Sequence, residues 1–212
     1  METKRFDIIT EADARVLEPG STVRLAARGH ITPLAADTLR ERRITVIGED
    51  MRATPPGLSL VPVADVRRIA IGSDHAGFEL KAHLIVVLRS RGLQVQDAGT
   101  IEKTPVDYPD VAAAVAKIVA RQEADAGIVI DGAGLGSAIA ANKIGGIRAA
   151  MCLNETLARY SREHNGANVL TLGATLLNPD EAVAIVLRFI ETPMREPRYI
   201  ARLEKIARLE RP

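Results

Sequence analysis

An apolar strand that runs into a glycine-rich turn and then a helix can hold an anion, and the stretch Gly127 to Lys143, GIVIDGAGLGSAIAANK, has that order. Gly132, Gly134 and Gly136 permit positive φ and close approach of the backbone to a ligand. The helix start that follows offers unpaired N–H groups and the positive end of the helix dipole. Asp131 stands where the strand ends, at the lip of the turn. A carboxylate beside a phosphate-sized anion hole is electrostatically unfavourable, which points to a chemical task for it such as proton abstraction. The spacing Gly132-x-Gly134-x-Gly136 is not G-x-G-x-x-G, and no G-K-[ST] closes the turn, so neither a dinucleotide nor a nucleoside triphosphate is the expected ligand. Turns of this kind also occur in α/β proteins without any ligand. A second group, Ser73-Asp74-His75, sets an acid and an imidazole at another strand end. Both strand ends can face one cleft, although Asp74 or His75 can equally cap the helix that follows.

The elements that must position these residues alternate. Arg68 to Ser73 reads as a buried strand, Phe78 to Arg91 as a helix, Leu93 to Asp97 as a short, half-polar strand, and Pro109 to Arg121 as an Ala/Val-rich helix with Pro in its first turn. Gly127 to Ile130, Ile147 to Cys152 and Val169 to Leu172 read as strands, and Ser137 to Lys143, Glu155 to Glu163 and Asp180 to Glu191 as helices. Five strands alternating with helices imply a doubly wound, Rossmann-like parallel five-stranded sheet, in which ligands bind outside the carboxyl ends of the strands where the strand order reverses. After the Pro193 to Pro197 break, Pro197 to Glu210 forms a charged amphipathic helix. Its stripe of Ile200, Leu203, Ile206 and Leu209 must bury against the parent domain or a second subunit.

The chain has 212 residues, a net charge of +1, 47% apolar residues and no Trp. Ala, Val, Ile and Leu must therefore fill the interior, as they do in parallel sheets covered by helices. The absence of a basic cluster interleaved with aromatics argues against nucleic acid. The single Cys152 excludes an internal disulfide, and no Cys/His spacing suits a metal, so neither metal nor cofactor is expected. There is no signal-like apolar segment and no run near the roughly 20 residues that span a bilayer, so a soluble cytoplasmic protein is expected.

Residues 1–66 differ from the rest and form a small α+β extension with a linker around Pro55-Pro56-Gly57, leaving 67–212 as the main domain. A cap at Thr10-Glu-Ala-Asp13, a strand from Thr22 to Ala26, a helix from Pro33 to Arg42 and a strand from Ile44 to Ile47 are expected there, with too little apolar surface for an independent domain. The segment is faintly similar to one that precedes some corrinoid adenosyltransferases of ethanolamine utilisation, but it carries no catalytic motif, and no cofactor is inferred.

Five separated motifs, GSDHAGFELK (72–81), DYPD (107–110), GSAIAANK (136–143), GIRAA (146–150) and HNGANVL (164–170), resemble in order the ribose-5-phosphate isomerase B family, which includes galactose-6-phosphate isomerase subunits. The resemblance spans roughly residues 68 to 205. It implies a homodimer or higher oligomer with shared active sites, and metal-free interconversion of a small aldose and ketose phosphate through a cis-enediol. Ribose 5-phosphate with ribulose 5-phosphate is the default pair, with four- and six-carbon sugar phosphates as alternatives. A non-catalytic sugar-phosphate-binding subunit or sensor is the alternative of another class. The base in the family is usually a Cys at the position of Asp131, and some members carry a Glu where this chain has Ser137. Asp131, standing in place of that Cys, is read as the base, with a role in substrate binding or loop structure as the alternative, and the resemblance assigns catalysis to His164 and Asn165, with His164 opening the cyclic sugar. It points to sugar contacts by Asp74, His75 and Tyr108, to which the glycine-rich turn adds Gly132, Gly134, Gly136 and Ser137 as substrate-binding residues. Phosphate falls to Arg198 and Arg202, which share a helix face at i, i+4, with Tyr199 replacing a family His.

Overall fold

The computed structural model describes residues 4–48 and 60–210, so the Pro55-Pro56-Gly57 break lies outside the described residues. The chain divides into two compact units, Met1–Gly57 and Leu58–Pro212.

In the first unit β1 (Arg5–Ile9), α1 (Glu11–Val16), β2 (Thr22–Ile31), α2 (Pro33–Glu41) and β3 (Thr45–Gly48) form a parallel sheet in the order β1-β2-β3. Thr10 and Asp13 close a capping box on α1, and the Thr32 side chain with Pro33 starts α2. From sequence, β1 carries no assignment and the segment shows too little apolar surface to be read as an independent domain with its own core. The structure gives it one, built from Ile9, Ala14, Leu17, Val23, Ala35, Leu39 and Ile44. These residues are spread singly along the segment, so no one stretch of sequence reads as strongly apolar.

The second unit runs β4 (Arg68–Ser73), α3 (Phe78–Ser90), β5 (Gln94–Asp97), α4 (Tyr108–Ala120), β6 (Ala126–Asp131), α5 (Leu135–Ala141), β7 (Ala149–Met151), α6 (Glu155–Glu163), β8 (Val169–Gly173), α7 (Pro179–Glu191) and α8 (Pro197–Leu209). Its five strands are parallel in the order β5-β4-β6-β8-β7. Alternate strand residues face opposite layers. Ile69, Ile71, Ile128 and Ile130 meet Leu80, Leu84 and Leu88 of α3 and Ile185 and Phe189 of α7, while Ala70 and Val129 meet Val111, Val115 and Val119 of α4. Full burial of each such leucine or isoleucine contributes roughly 2 kcal/mol. The doubly wound, Rossmann-like sheet expected from the alternation is the observed one. Winding leaves β4 toward β5 on one side and returns toward β6 on the other, so the reversal lies between β4 and β6, at the strand ends that carry Asp74 and Asp131.

Two polar side chains inside this unit have structural tasks. Lys81, buried on α3, gives its ammonium to both oxygens of Asp97 (2.8 and 2.7 Å) and to the Thr100 carbonyl (2.6 Å), which fixes α3 to the end of β5. Asn142 donates to the carbonyls of Ala138 and Ala149 and accepts the Ala149 N–H, so it ties the end of α5 to β7. Residues 60–66, placed by sequence with the extension, pack on the second unit: Val66 joins its larger core, and Leu60 and Val61 pack against Met194, Tyr199 and Leu203. The apolar stripe of α8 is split, with Leu203 buried while Ile206 and Leu209 are exposed. No helix among the described residues is long and apolar enough to cross a membrane.

Candidate active site

Every residue of β6 is buried, and the strand delivers Asp131, itself 4% exposed, to the turn before α5. Its carboxylate does not border an empty anion hole; it fills one. Oδ1 accepts the N–H of Ala133 at 2.8 Å and the N–H of Gly134, while Oδ2 accepts the Ser137 N–H at 3.0 Å and the Ser137 hydroxyl at 2.5 Å. Four donors match the lone-pair capacity of a carboxylate, so Asp131 is the organising anion of the loop. The unpaired amides expected from sequence are therefore largely claimed by the chain itself. That corrects the picture of Asp131 as a carboxylate standing beside an open phosphate site.

The three glycines also divide their tasks differently from expectation. Only Gly134 has positive φ, 77°, and a Cβ there would lie 2.9 Å from the Leu172 backbone. Gly136 is required by the Tyr108 ring, which a Cβ would meet at 2.5 Å, and nothing lies within 4 Å of a Cβ at Gly132. At Gly136 the constraint comes from a neighbouring element alone, whereas at Gly134 the turn's own dihedral and the β8 backbone both favour glycine.

Two threonines that sequence reasoning missed hold the loop from β8 and the turn after it. Thr171 Oγ1 donates to the Gly134 carbonyl at 2.8 Å, and Thr175 Oγ1 donates to the Gly132 carbonyl at 2.6 Å. The signal in the sequence was Thr171 itself, a hydroxyl in the apolar run VLTLG, because a buried hydroxyl needs a partner.

Around the loop stand three of the expected residues. Tyr108, the first residue of α4, is partly exposed with its ring over Gly136. Asp74 is buried and its Oδ1 accepts the N–H groups of Ala76 (2.9 Å) and Gly77 (3.1 Å), which closes the turn before α3 without capping the helix itself, while its own N–H donates to the Ile130 carbonyl beside Asp131. His75, next along, is exposed. This first group gathers Asp74, Tyr108, Asp131, Gly132, Gly134, Gly136 and Ser137 at the carboxyl ends of β4 and β6.

A second group forms elsewhere in the unit. His164 is the C-cap of α6, with its N–H on the Tyr160 carbonyl, and Asn165 follows it exposed in the turn. The His164 ring stacks on Tyr160 at 4.6 Å and lies 4.5 Å from the Tyr199 ring. Arg198 and Arg202 of α8 lie 4.8 and 5.6 Å from the Tyr199 ring, and Arg198 Nη2 donates to its hydroxyl at 2.9 Å. Both guanidinium groups belong to exposed residues and are held by a buried tyrosine, an arrangement suited to a doubly negative phosphate. Tyr160 was not singled out from sequence, although its i, i+4 spacing to His164 on one helix face predicts the contact. The structure thus collects the expected residues into two clusters.

Cys152, the only cysteine of the chain, belongs to neither. It is 1% exposed, and burial pushes its thiol up to about 11 against a smaller opposing pull from the Ser161 hydroxyl. Iodoacetamide at about pH 8, below the ordinary thiol range, is expected to leave Cys152 unmodified and turnover unchanged, as read by mass spectrometry and assay; inactivation would bring the thiol into the chemistry. In the unfolded chain the thiol returns to its ordinary value near 9.0, so the stability linked to it is complete below that pH and lost as pH rises through about 11.

Residues 69–206 match the family model described as Ribose/Galactose Isomerase. The chain is 41% identical over 145 residues to the Ribose-5-phosphate isomerase B of Escherichia coli (strain K12), covering 68% of this chain and 97% of that protein. Among solved structures, the Ribose-5-Phosphate Isomerase B of Clostridium thermocellum is similar with a TM-score of 0.67 and 47% identity, over 68% of this chain and 97% of the other. The type B ribose 5-phosphate isomerase of Trypanosoma brucei matches with a TM-score of 0.66 and 41% identity, over 68% of this chain and 99% of the other.

Proposed function

We infer that this chain, which belongs to the Ribose/Galactose Isomerase family, is an aldose–ketose isomerase that interconverts ribose 5-phosphate and ribulose 5-phosphate. The observation that carries the reading is the identity of 41% to 47% across nearly the whole length of ribose-5-phosphate isomerase B proteins.

The reaction moves a proton between adjacent carbons through an enediol, without a metal. Asp131 is the base. Three of its four donors are backbone amides locked by the loop, and the fourth, the Ser137 hydroxyl, is the one that can rotate off Oδ2 and release a lone pair toward the sugar. Tyr108 and His75 border the sugar, and the Asp74 carboxylate fixes the turn that carries His75. His164 moves the proton that opens the ring, Asn165 contacts sugar oxygens, and Arg198 and Arg202 take the phosphate.

The two clusters complete one site when two copies associate. Exposed apolar residues support a dimer: Leu135 and Ile139 on α5, directly after the loop, and Leu157 and Tyr160 on α6, beside His164, present large side chains to solvent in the single chain.

The saturated carboxylate of Asp131 is the one observation that favours a sugar-phosphate-binding subunit without turnover. Solvent deuterium exchange at the substrate carbon, followed by NMR over four-, five- and six-carbon aldose and ketose phosphates, decides between them. Exchange with interconversion of the ribose 5-phosphate pair is the expected outcome. Turnover of another member alone would reassign the substrate, and binding without exchange on all of them would establish the non-catalytic subunit.

A further inference from the structure

Two arginines inside the second unit reach the segment through which the chain enters it. Arg148 donates through Nε to the Gly166 carbonyl (2.7 Å), through Nη1 to the Gly146 carbonyl (3.3 Å) and through Nη2 to the Leu60 carbonyl (3.1 Å). Arg162, fully buried, donates through Nη1 to the Ala167 carbonyl (2.9 Å) and through Nη2 to the Val63 carbonyl (2.7 Å). Each guanidinium therefore clasps residues 60–63 on one side and the turn at 166–167 on the other. The apolar side chains of Leu60 and Val61 complete the attachment by packing on Met194, Tyr199 and Leu203. The three pieces meet at Gly166, where a Cβ would stand 2.5 Å from Leu203 Cδ1 and 3.2 Å from the Leu60 carbonyl oxygen.

Both partners of this segment carry residues of the second cluster. The turn follows directly on His164 and Asn165, and α8 bears Tyr199, Arg198 and Arg202. We propose that residues 60–63 are a positioning strap, which holds α8 against the His164 turn and so sets the two phosphate-directed guanidinium groups. The proposal rests on the isomerase reading for the identity of the phosphate-bearing ligand. The strap lies outside the family match, which begins at residue 69. The segment that sequence alone treats as the end of an appendage is thereby part of the site's scaffold. Its physical basis is that two desolvated guanidinium groups need acceptors, and the Leu60 and Val63 carbonyls of this segment supply one to each while the Leu60 and Val61 side chains pack on α8.

The test uses the full chain with Leu60→Ala and with the double change Leu60→Ala/Val61→Ala, reading the affinity for inorganic phosphate by calorimetry, KM and kcat for ribose 5-phosphate, and the melting temperature. In the double variant the phosphate Kd and the KM are expected to rise together by about five- to tenfold while kcat stays within about twofold, because displacement of α8 weakens the arginine contacts. Leu60→Met/Val61→Ile, which keeps the packed volume, restores both. A lowered melting temperature with unchanged phosphate Kd would reduce the strap to ordinary packing and overturn the proposal; if the double variant does not fold, Leu60→Ala alone is judged by the same criterion. A wild-type chain that binds phosphate but does not turn over ribose 5-phosphate refutes the isomerase reading while the Kd still judges the strap. A wild type that binds no phosphate overturns the strap as well.

Discussion

Asp131→Asn is expected to lower kcat for ribose 5-phosphate by about 10³-fold while leaving the Kd for inorganic phosphate within about twofold. The chemistry requires a lone pair on a group that can take a proton from carbon, and an amide has no such basicity. The phosphate affinity is spared because the arginines belong to the other cluster, at α8. A structural cost accompanies the chemical one. The carboxamide of the variant can keep its oxygen on the amides of Ala133 and Gly134, but its NH2 then faces the Ser137 N–H, which donates to Oδ2 of Asp131 in the native loop. An orphaned buried donor costs about 1–3 kcal/mol, so a modest fall in melting temperature is part of the expected result. Ser137→Ala separates the two effects. It removes only the rotatable donor and leaves three backbone amides on the carboxylate, so kcat is expected to stay within about threefold if Asp131 acts directly on the sugar. Asp131→Asn with retained turnover would leave the carboxylate as the loop's internal anion and nothing more.

The largest effect on stability is expected at Arg162. It is 0% exposed, its acceptors are carbonyl oxygens rather than a carboxylate, its Nε is without a partner among the described residues, and it lies over the Phe189 ring at 5.0 Å. Burial, with a smaller push from Arg148, pulls its ionisation down to about 10, so the side chain is still charged at neutral pH and bears a real desolvation cost. Such a group persists because its two carbonyl partners and the packed aromatic face are lost together when it is removed. Arg162→Ala leaves the Val63 and Ala167 carbonyls unpaired around a cavity, and a loss of about 3–5 kcal/mol is expected. For a chain of this size that corresponds to a fall of roughly 10 °C in melting temperature, measurable by calorimetry. Arg162→Lys recovers less than half of it, because an ammonium cannot span two carbonyls that a planar fork reaches at once. A shift under about 2 °C for the alanine variant would mean that the fork contributes little to holding residues 60–63.

The alternation of strands and helices, the reversal of strand order between two strand ends, and the family itself were legible in the sequence. Strands buried on both faces must be apolar throughout, and the motifs lie directly at their ends, so position along the chain and position in the fold coincide. Asp74, Asp131 and Ser137 come together for that reason, while Tyr108 reaches them from the start of α4. The same logic located Arg198 and Arg202 on one face of α8, since i, i+4 spacing is a property of the helix alone.

What the sequence determined by itself is thus everything set by periodicity and by residues near each other along the chain: the five-stranded parallel sheet, the loop after β6, and the chemical types gathered there. Tertiary structure alone decided which partner each polar group meets. That Tyr108 rather than a dihedral demands Gly136, that Thr171 and Thr175 hold the loop carbonyls, and that residues 60–63 belong to the second unit all depend on atoms up to 99 residues apart, whereas Asp131 fills its loop through donors that follow it within the same turn and helix start. Hydrogen bonds and close contacts are satisfied by proximity in space, and no local pattern records which distant carbonyl or ring the fold will bring to a given donor.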